Sequence, residues 1–133
     1  MSKRKKPPIP IFEQAIIETH CHLDYLKDYS LDELLERSRE VGIEKIITIA
    51  VSPDNLEKVM TLATENPMIW GTQGVHPHDA DKFTNETRSQ ICENAQHERI
   101  LAIGEIGLDY FYEHSDRKTQ SQVFESQLQI ASD

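Results

Sequence analysis

An α/β fold of four parallel strands, each followed by a helix, is predicted by three features of this sequence. Short apolar segments at 15–18, 45–51, 68–73 and 100–105 alternate with longer stretches of helical periodicity. Capping and breaking residues separate the two kinds of segment. Clusters of histidine and carboxylate recur directly after strands, where parallel α/β folds build their sites. A chain of 133 residues holds one ordinary domain. A complete eight-unit barrel takes about 250 residues, so four units amount to half of one.

Residues 1–14 read as a leader, flexible or extended, because Lys3-Arg4-Lys5-Lys6 is followed by Pro7, Pro8 and Pro10. A small phosphate-attracting arm is the functional alternative. The folded domain then runs from 15 to 133. Ala15 to Glu18 is a short strand that leads into Thr19-His20-Cys21-His22-Leu23-Asp24. Ser30 is an N-cap, and Glu33 three residues later completes a capping box. Leu31, Leu34, Leu35 and Val41 form the apolar stripe of the first helix, which Gly42 stops.

Lys45 to Val51 is the second strand, rich in β-branched residues. Ser52-Pro53 reads as a cap followed by proline at the first helical position. Leu56, Val59, Met60 and Ala63 line that helix, and Asn66-Pro67 ends it. Met68 to Gln73 is the third strand and leads into Gly74-Val75-His76-Pro77-His78. A polar helix spans about 84–95, and Ile100 to Glu105 is the fourth strand. The closing helix covers Asp116 to Ala131, with Val123, Phe124, Gln127, Leu128 and Ala131 on one face.

Charge narrows the possible partners. The formal net charge is -9, and without the Lys3–Lys6 cluster 10 basic residues face 23 acidic ones. Such a body repels DNA over a broad surface, so a phosphate-bearing substrate has to be held locally, by metal ions. Cys21 and Cys92 make neither a disulfide framework nor a zinc-finger spacing. Two reduced cysteines, no membrane-length apolar run and no signal-peptide core point to a cytoplasmic protein with no membrane partner.

His20 and His22 share one side of an extended segment, because strand side chains alternate faces. They can therefore hold one ion together, while Cys21 points the other way. Glu105 sits between Gly104 and Gly107 after a buried strand, where a carboxylate is costly unless paired or metal-bound. Imidazole and carboxylate together suit Zn, Mn, Fe or Mg. His76 and His78 are open to metal ligation, substrate phosphate contact or loop ordering. Substrate contact or support behind the ligands is the favoured pair of roles. Asp109 is either a partner that orients a ligand histidine or a loop cap. Tyr110, Phe111 and Tyr112 either stack a base or pack under the loop.

Glu18 to Asp24, Gly74 to His78 and Gly104-Glu105-Ile106-Gly107-Leu108-Asp109-Tyr110 resemble motifs of the TatD-type metal-dependent deoxyribonucleases. The helix from Gln120 to Ala131 also matches that family's spacing. The resemblance implies a partial (β/α)8 TIM barrel comprising about four N-terminal units. It also implies hydrolysis of phosphodiester bonds in DNA with two divalent ions, Mg, Mn or Zn, per complete site. His20 and His22 would hold one ion, and Glu105 would lie between two and serve as the catalytic carboxylate.

Members of the family continue into four further units that supply two more histidines and an aspartate. Neither His97, on the far side of strand four, nor His114, in a charged loop, replaces them. The expectation is therefore the N-terminal half of such an enzyme, from a truncated gene or an incomplete record. The alternatives are a half-barrel that pairs with itself or with a C-terminal half, and a metal-binding remnant without turnover.

Overall fold

The computed structural model describes residues 7–133, so the Lys3–Lys6 cluster of the expected leader lies outside the described residues. Residues 7–14 form neither helix nor strand, and their side chains are exposed. Beyond them, β1 (Ile16–Cys21), β2 (Ile43–Thr48), β3 (Ile69–Gln73) and β4 (Ile100–Ile103) form one sheet. The strands lie in sequence order, and every neighbouring pair is parallel. Parallel neighbours need long crossovers. These contain α1 (Leu31–Glu40), α2 (Leu56–Glu65) and α3 (Asn85–Asn94), while α4 (Arg117–Ser132) follows β4. The architecture is α/β, four units of a (β/α)8 barrel, as the sequence predicts.

Local chemistry sets the element ends. At α1 the Ser30 hydroxyl accepts from the Glu33 N–H, and the Glu33 carboxylate accepts from the Ser30 N–H at 2.8 Å. Gly42 then reverses the chain with φ of 95°, a conformation that side chains disfavour. α2 starts later than Ser52-Pro53 suggests. The Asn55 carboxamide oxygen accepts from the N–H groups of Val51 and Ser52 at 3.0 and 3.1 Å. That side chain closes a turn, and the helix begins at Leu56. β1 extends to Cys21 and includes His20, whereas β2 and β4 end before Ile49 and Gly104.

Two apolar clusters fill the space between the sheet and its helices. One joins Ile46, Ile69 and Ile100 to Leu35 and Leu62, and the other joins Leu56, Val59, Val75, Ile91 and Ile130. A Cβ on Gly71 would lie 2.7 Å from Val59 Cγ1, so the glycine lets α2 sit close on β3. The other sheet face is open. Ile17 and Leu101 are each 54% exposed there. With Lys45, Ile47 and Trp70 they line a shallow hollow of about 290 Å³. No described helix is long and apolar enough to cross a membrane.

The buried face of α4 differs from the expected one. Gln120, Val123, Gln127 and Ile130 are buried, whereas Leu128 and Ala131 are exposed. Two glutamines occupy this face because they bracket backbone that lacks strand or helix partners. The Gln127 side chain accepts from the Val75 N–H at 2.7 Å and donates to the Val75 carbonyl at 3.1 Å. Gln127→Leu keeps the volume but strands both Val75 groups. A loss of about 2 kcal/mol or more is expected, read from urea unfolding of the two chains. An unchanged midpoint would contradict the bracket.

Candidate metal centre at the strand ends

His20 lies within β1 and His22 one residue past it, with ring centroids 5.4 Å apart. Cys21 turns away between them, packs against the core and points its Sγ at the Ile47 carbonyl, 3.9 Å away. The chain after β1 is tied to the end of β2. Ile49 N–H donates to the Cys21 carbonyl at 2.9 Å, and Leu23 N–H donates to Thr48 Oγ1 at 3.3 Å. His22 Nδ1 lies 3.3 Å from the Ile49 carbonyl. A proton on Nδ1 makes that contact a hydrogen bond and leaves Nε2 free to act as a ligand. Tyr25 stacks on the His22 ring, with centroids 5.3 Å apart.

Glu105 reaches this pair by an unusual backbone path. After β4 the chain crosses the end of β3, and Glu105 N–H donates to the Ala50 carbonyl beyond β2 at 2.8 Å. Thr72 Oγ1 bridges the same gap, accepting from Ala50 N–H at 3.1 Å and donating to the Gly104 carbonyl at 2.6 Å. Gly74 allows the crossing, since a Cβ there would sit 2.7 Å from the Gly104 carbonyl carbon. Gly107, with φ of 148°, turns the chain away again.

As a result Glu105 Oε2 lies 3.5 Å from His20 Nε2, and Oε1 lies 3.6 Å from His76 Nε2. Ligand atoms of His20, His22 and Glu105 all fall within 4.8 Å of one another. Two imidazoles and one carboxylate at this spacing fit a divalent ion of the Zn, Mn or Mg type.

His76 and His78 lie outside that three-residue group and play different parts. His76 N–H donates to the Val51 carbonyl at 2.7 Å, and its Nδ1 accepts from the His78 N–H at 3.1 Å. Burial holds the His76 imidazole below its usual pKa, against the opposing pull of Glu105. His78 faces Asp109, with Nε2 2.7 Å from Oδ2. Asp109 Oδ1 accepts from the N–H groups of Phe111 and Tyr112 at 3.0 and 3.1 Å. The Tyr112 N–H and then His78 keep this carboxyl below the ordinary aspartate value. Gln120 fixes Asp109 in turn, accepting from its N–H at 2.8 Å and donating to its carbonyl at 3.0 Å.

His97 stays in the loop before β4, where its Nδ1 accepts from Arg99 N–H. His114 comes closer than its charged loop suggests, with its ring 4.4 Å from that of His78. Asp24, Asn55, Thr72 and Gln120 support the site without having been singled out as site residues by the sequence. Asn55 donates to Asp24 Oδ2 at 3.1 Å, while the buried Asp24 Oδ1 has no partner among the described residues. The spacing of Gln120 and Gln127, seven residues apart on a helix, was the available signal for the glutamine face.

The family model of TatD-related DNases matches residues 17–133. The chain belongs to the TatD-related DNase family. It is 33% identical over 117 residues to the uncharacterized metal-dependent hydrolase YabD of Bacillus subtilis, covering 87% of this chain and 46% of that protein. It is 36% identical over 103 residues to the 3'-5' ssDNA/RNA exonuclease TatD of Dickeya dadantii, covering 77% and 39%. The crystal structure of YJJV, a TatD homolog from Escherichia coli K12, superposes with a TM-score of 0.76 at 31% identity, covering 86% of this chain and 46% of that one. This TatD-family chain thus spans about half the length of the curated relatives it matches.

The thiol between the two histidines offers a direct check on strand parity. Burial first, then the charges of Glu18 and Asp24, push the Cys21 pKa up to about 11. At pH 8 alkylation of Cys21 by iodoacetamide should run about a hundredfold slower in the folded chain than in urea. Peptide mapping after timed quenching measures this. Equal rates in the two states would place Cys21 on the wrong face.

Proposed function

We propose that residues 15–133 form the N-terminal, metal-holding half of a hydrolase that cleaves phosphodiester bonds in DNA. The convergence of His20, His22 and Glu105 ligand atoms within 4.8 Å at the ends of β1 and β4 carries this reading. The similarity to proteins named as a metal-dependent hydrolase and an ssDNA/RNA exonuclease supports it.

His20, His22 and Glu105 would hold a divalent ion. Glu105 directs one oxygen to His20 and the other to His76, which suits a carboxylate shared between two ions. Bound ions of this kind lower the pKa of a coordinated water and draw charge from phosphate oxygens. His76, beside the carboxylate, contacts the substrate phosphate. His78 and Asp109 hold the loop behind it through their 2.7 Å contact. The free, half-buried Cys21 and Cys92 accord with a cytoplasmic setting.

A second reading concerns completeness. The open sheet face exposes Ile17 on β1 and Leu101 on β4, the two edge strands of the described sheet. A C-terminal half that adds strands at both edges would cover these side chains and close the barrel. In that case the chain holds metal alone and turns over only with its other half.

Calorimetry with Mn²⁺ and hydrolysis of a 5'-labelled single-stranded oligonucleotide test both readings. The chain should take up Mn²⁺, and His22→Ala and Glu105→Gln should each weaken uptake at least ~10-fold and abolish any cleavage. Uptake without cleavage assigns turnover to the completed barrel. Absence of Mn²⁺ uptake in a folded preparation would overturn the metal reading.

A further inference from the structure

The loop between β4 and α4 presents aromatic rings where a packed loop would hide them. Phe111 is 86% exposed and Tyr112 is 64% exposed. Their backbone is nonetheless held firmly, because both N–H groups donate to Asp109 and Asp109 is bracketed by Gln120. Ser115 adds a further tie, donating through its hydroxyl to the His78 carbonyl at 3.1 Å. Exposed rings on anchored backbone lose little freedom when something settles on them.

The rings are also continuous with the candidate centre. His76, beside Glu105, meets His78 edge-on at 4.3 Å between centroids. His78 meets Tyr112 at 5.8 Å and His114 at 4.4 Å, and Tyr112 meets Phe111 at 4.8 Å. An aromatic path therefore runs outward from the carboxylate to the surface. Tyr110 is already taken, since the Arg117 guanidinium lies 4.6 Å over its ring. Phe111 keeps open ring faces, and Tyr112, which stacks on His114 at 5.9 Å between centroids, is still 64% exposed.

We propose that Phe111 and Tyr112 form a stacking platform for the bases of a single-stranded nucleic-acid segment whose phosphate lies at the metal centre. This rests on the phosphodiester-hydrolase reading and names what holds the strand beside that site. The charge balance favours such a grip. The formal net charge is -9, so overall charge does not draw a polyanion to the chain. Stacking uses the neutral base faces, needs no particular sequence, and favours single strands because a duplex keeps those faces covered.

The test uses the full chain and a six-nucleotide deoxyoligonucleotide with phosphorothioate linkages and one 2-aminopurine. Stacking on the platform should quench the 2-aminopurine fluorescence as protein is added. Phe111→Ala and Phe111→Leu should each weaken binding about tenfold, and Phe111→Trp should restore it. The same oligonucleotide annealed to its complement should bind more weakly. Unchanged affinity in Phe111→Ala, equal affinity in Phe111→Leu and Phe111→Trp, or no quenching with the unsubstituted chain would each overturn the platform. Mn²⁺ calorimetry on the unsubstituted chain separates the two ideas. Metal uptake without Phe111-dependent quenching removes the platform alone. Phe111-dependent quenching without metal uptake removes the metal reading alone.

Discussion

The backbone hydrogen bond from Glu105 to Ala50 is the constraint on which the geometry of the strand ends depends. It links the ends of β2 and β4, which are not neighbours in the sheet, by carrying the chain across the end of β3. Without that crossing a carboxylate leaving β4 would stay three strands away from the histidines of β1. The crossing is possible only where backbone can touch backbone, and Gly74 supplies that place. Thr72 completes it by serving Ala50 N–H and the Gly104 carbonyl with one hydroxyl. The hydroxyl is buried and saturated, so its cost of desolvation is recovered.

Loops that carry ionisable groups must still satisfy their own N–H and carbonyl groups, and most have no strand to pair with. Here carboxamides do that work. Asn55 binds the turn after β2, Gln127 brackets Val75 in the loop after β3, and Gln120 brackets Asp109 in the loop after β4. Gln73 is similarly buried, donating to the Leu56 carbonyl at 3.0 Å and accepting from Asn94 at 2.8 Å. These neutral groups fix backbone without adding charge beside a candidate cation site, which a lysine or aspartate would do. The histidine loops are consequently held by the layer beneath them.

Much of this was legible in the residues themselves. Short apolar runs and helical patterns marked four strands and four helices, and the Ser30–Glu33 capping box stands as read. The parity of His20 and His22 follows from extended backbone alone. What pattern could not show was which side chains tie down backbone, nearby or distant. The start of α2 moved because one side chain, Asn55, closes a turn over Val51 and Ser52. The inner face of α4 kept Val123 and Gln127 as expected but turned toward Gln120 and Ile130, with Gln120 polar by composition yet buried by partnership. Charge concealed the place of His114, which sits in an acidic and basic stretch but packs its ring on His78. Each difference is a side-chain hydrogen bond or ring contact, local at Asn55 and tertiary elsewhere, overriding the pattern-level preference.

The two faces of the sheet impose opposite demands, and their contrast explains why the strand ends are ordered while the inner face stays open. On the helix side, burial of Ile46, Ile69, Val59 and Ile91 holds the layers together with chain-local crossovers. On the inner side, Ile17 and Leu101 are exposed and Ile47 is half-buried, and Lys45 and Arg99 place their cations 5.2 and 4.5 Å from the Trp70 ring. A cationic cap on an aromatic ring is compatible with water, whereas it becomes expensive once water is excluded unless a carboxylate accompanies it. Any wall that closes over this face therefore has to answer both apolar area and positive charge. A second copy of the same face would bring Lys45 toward Lys45, a like-charge meeting in a closing interior. A wall bearing an acidic group at that level meets both demands.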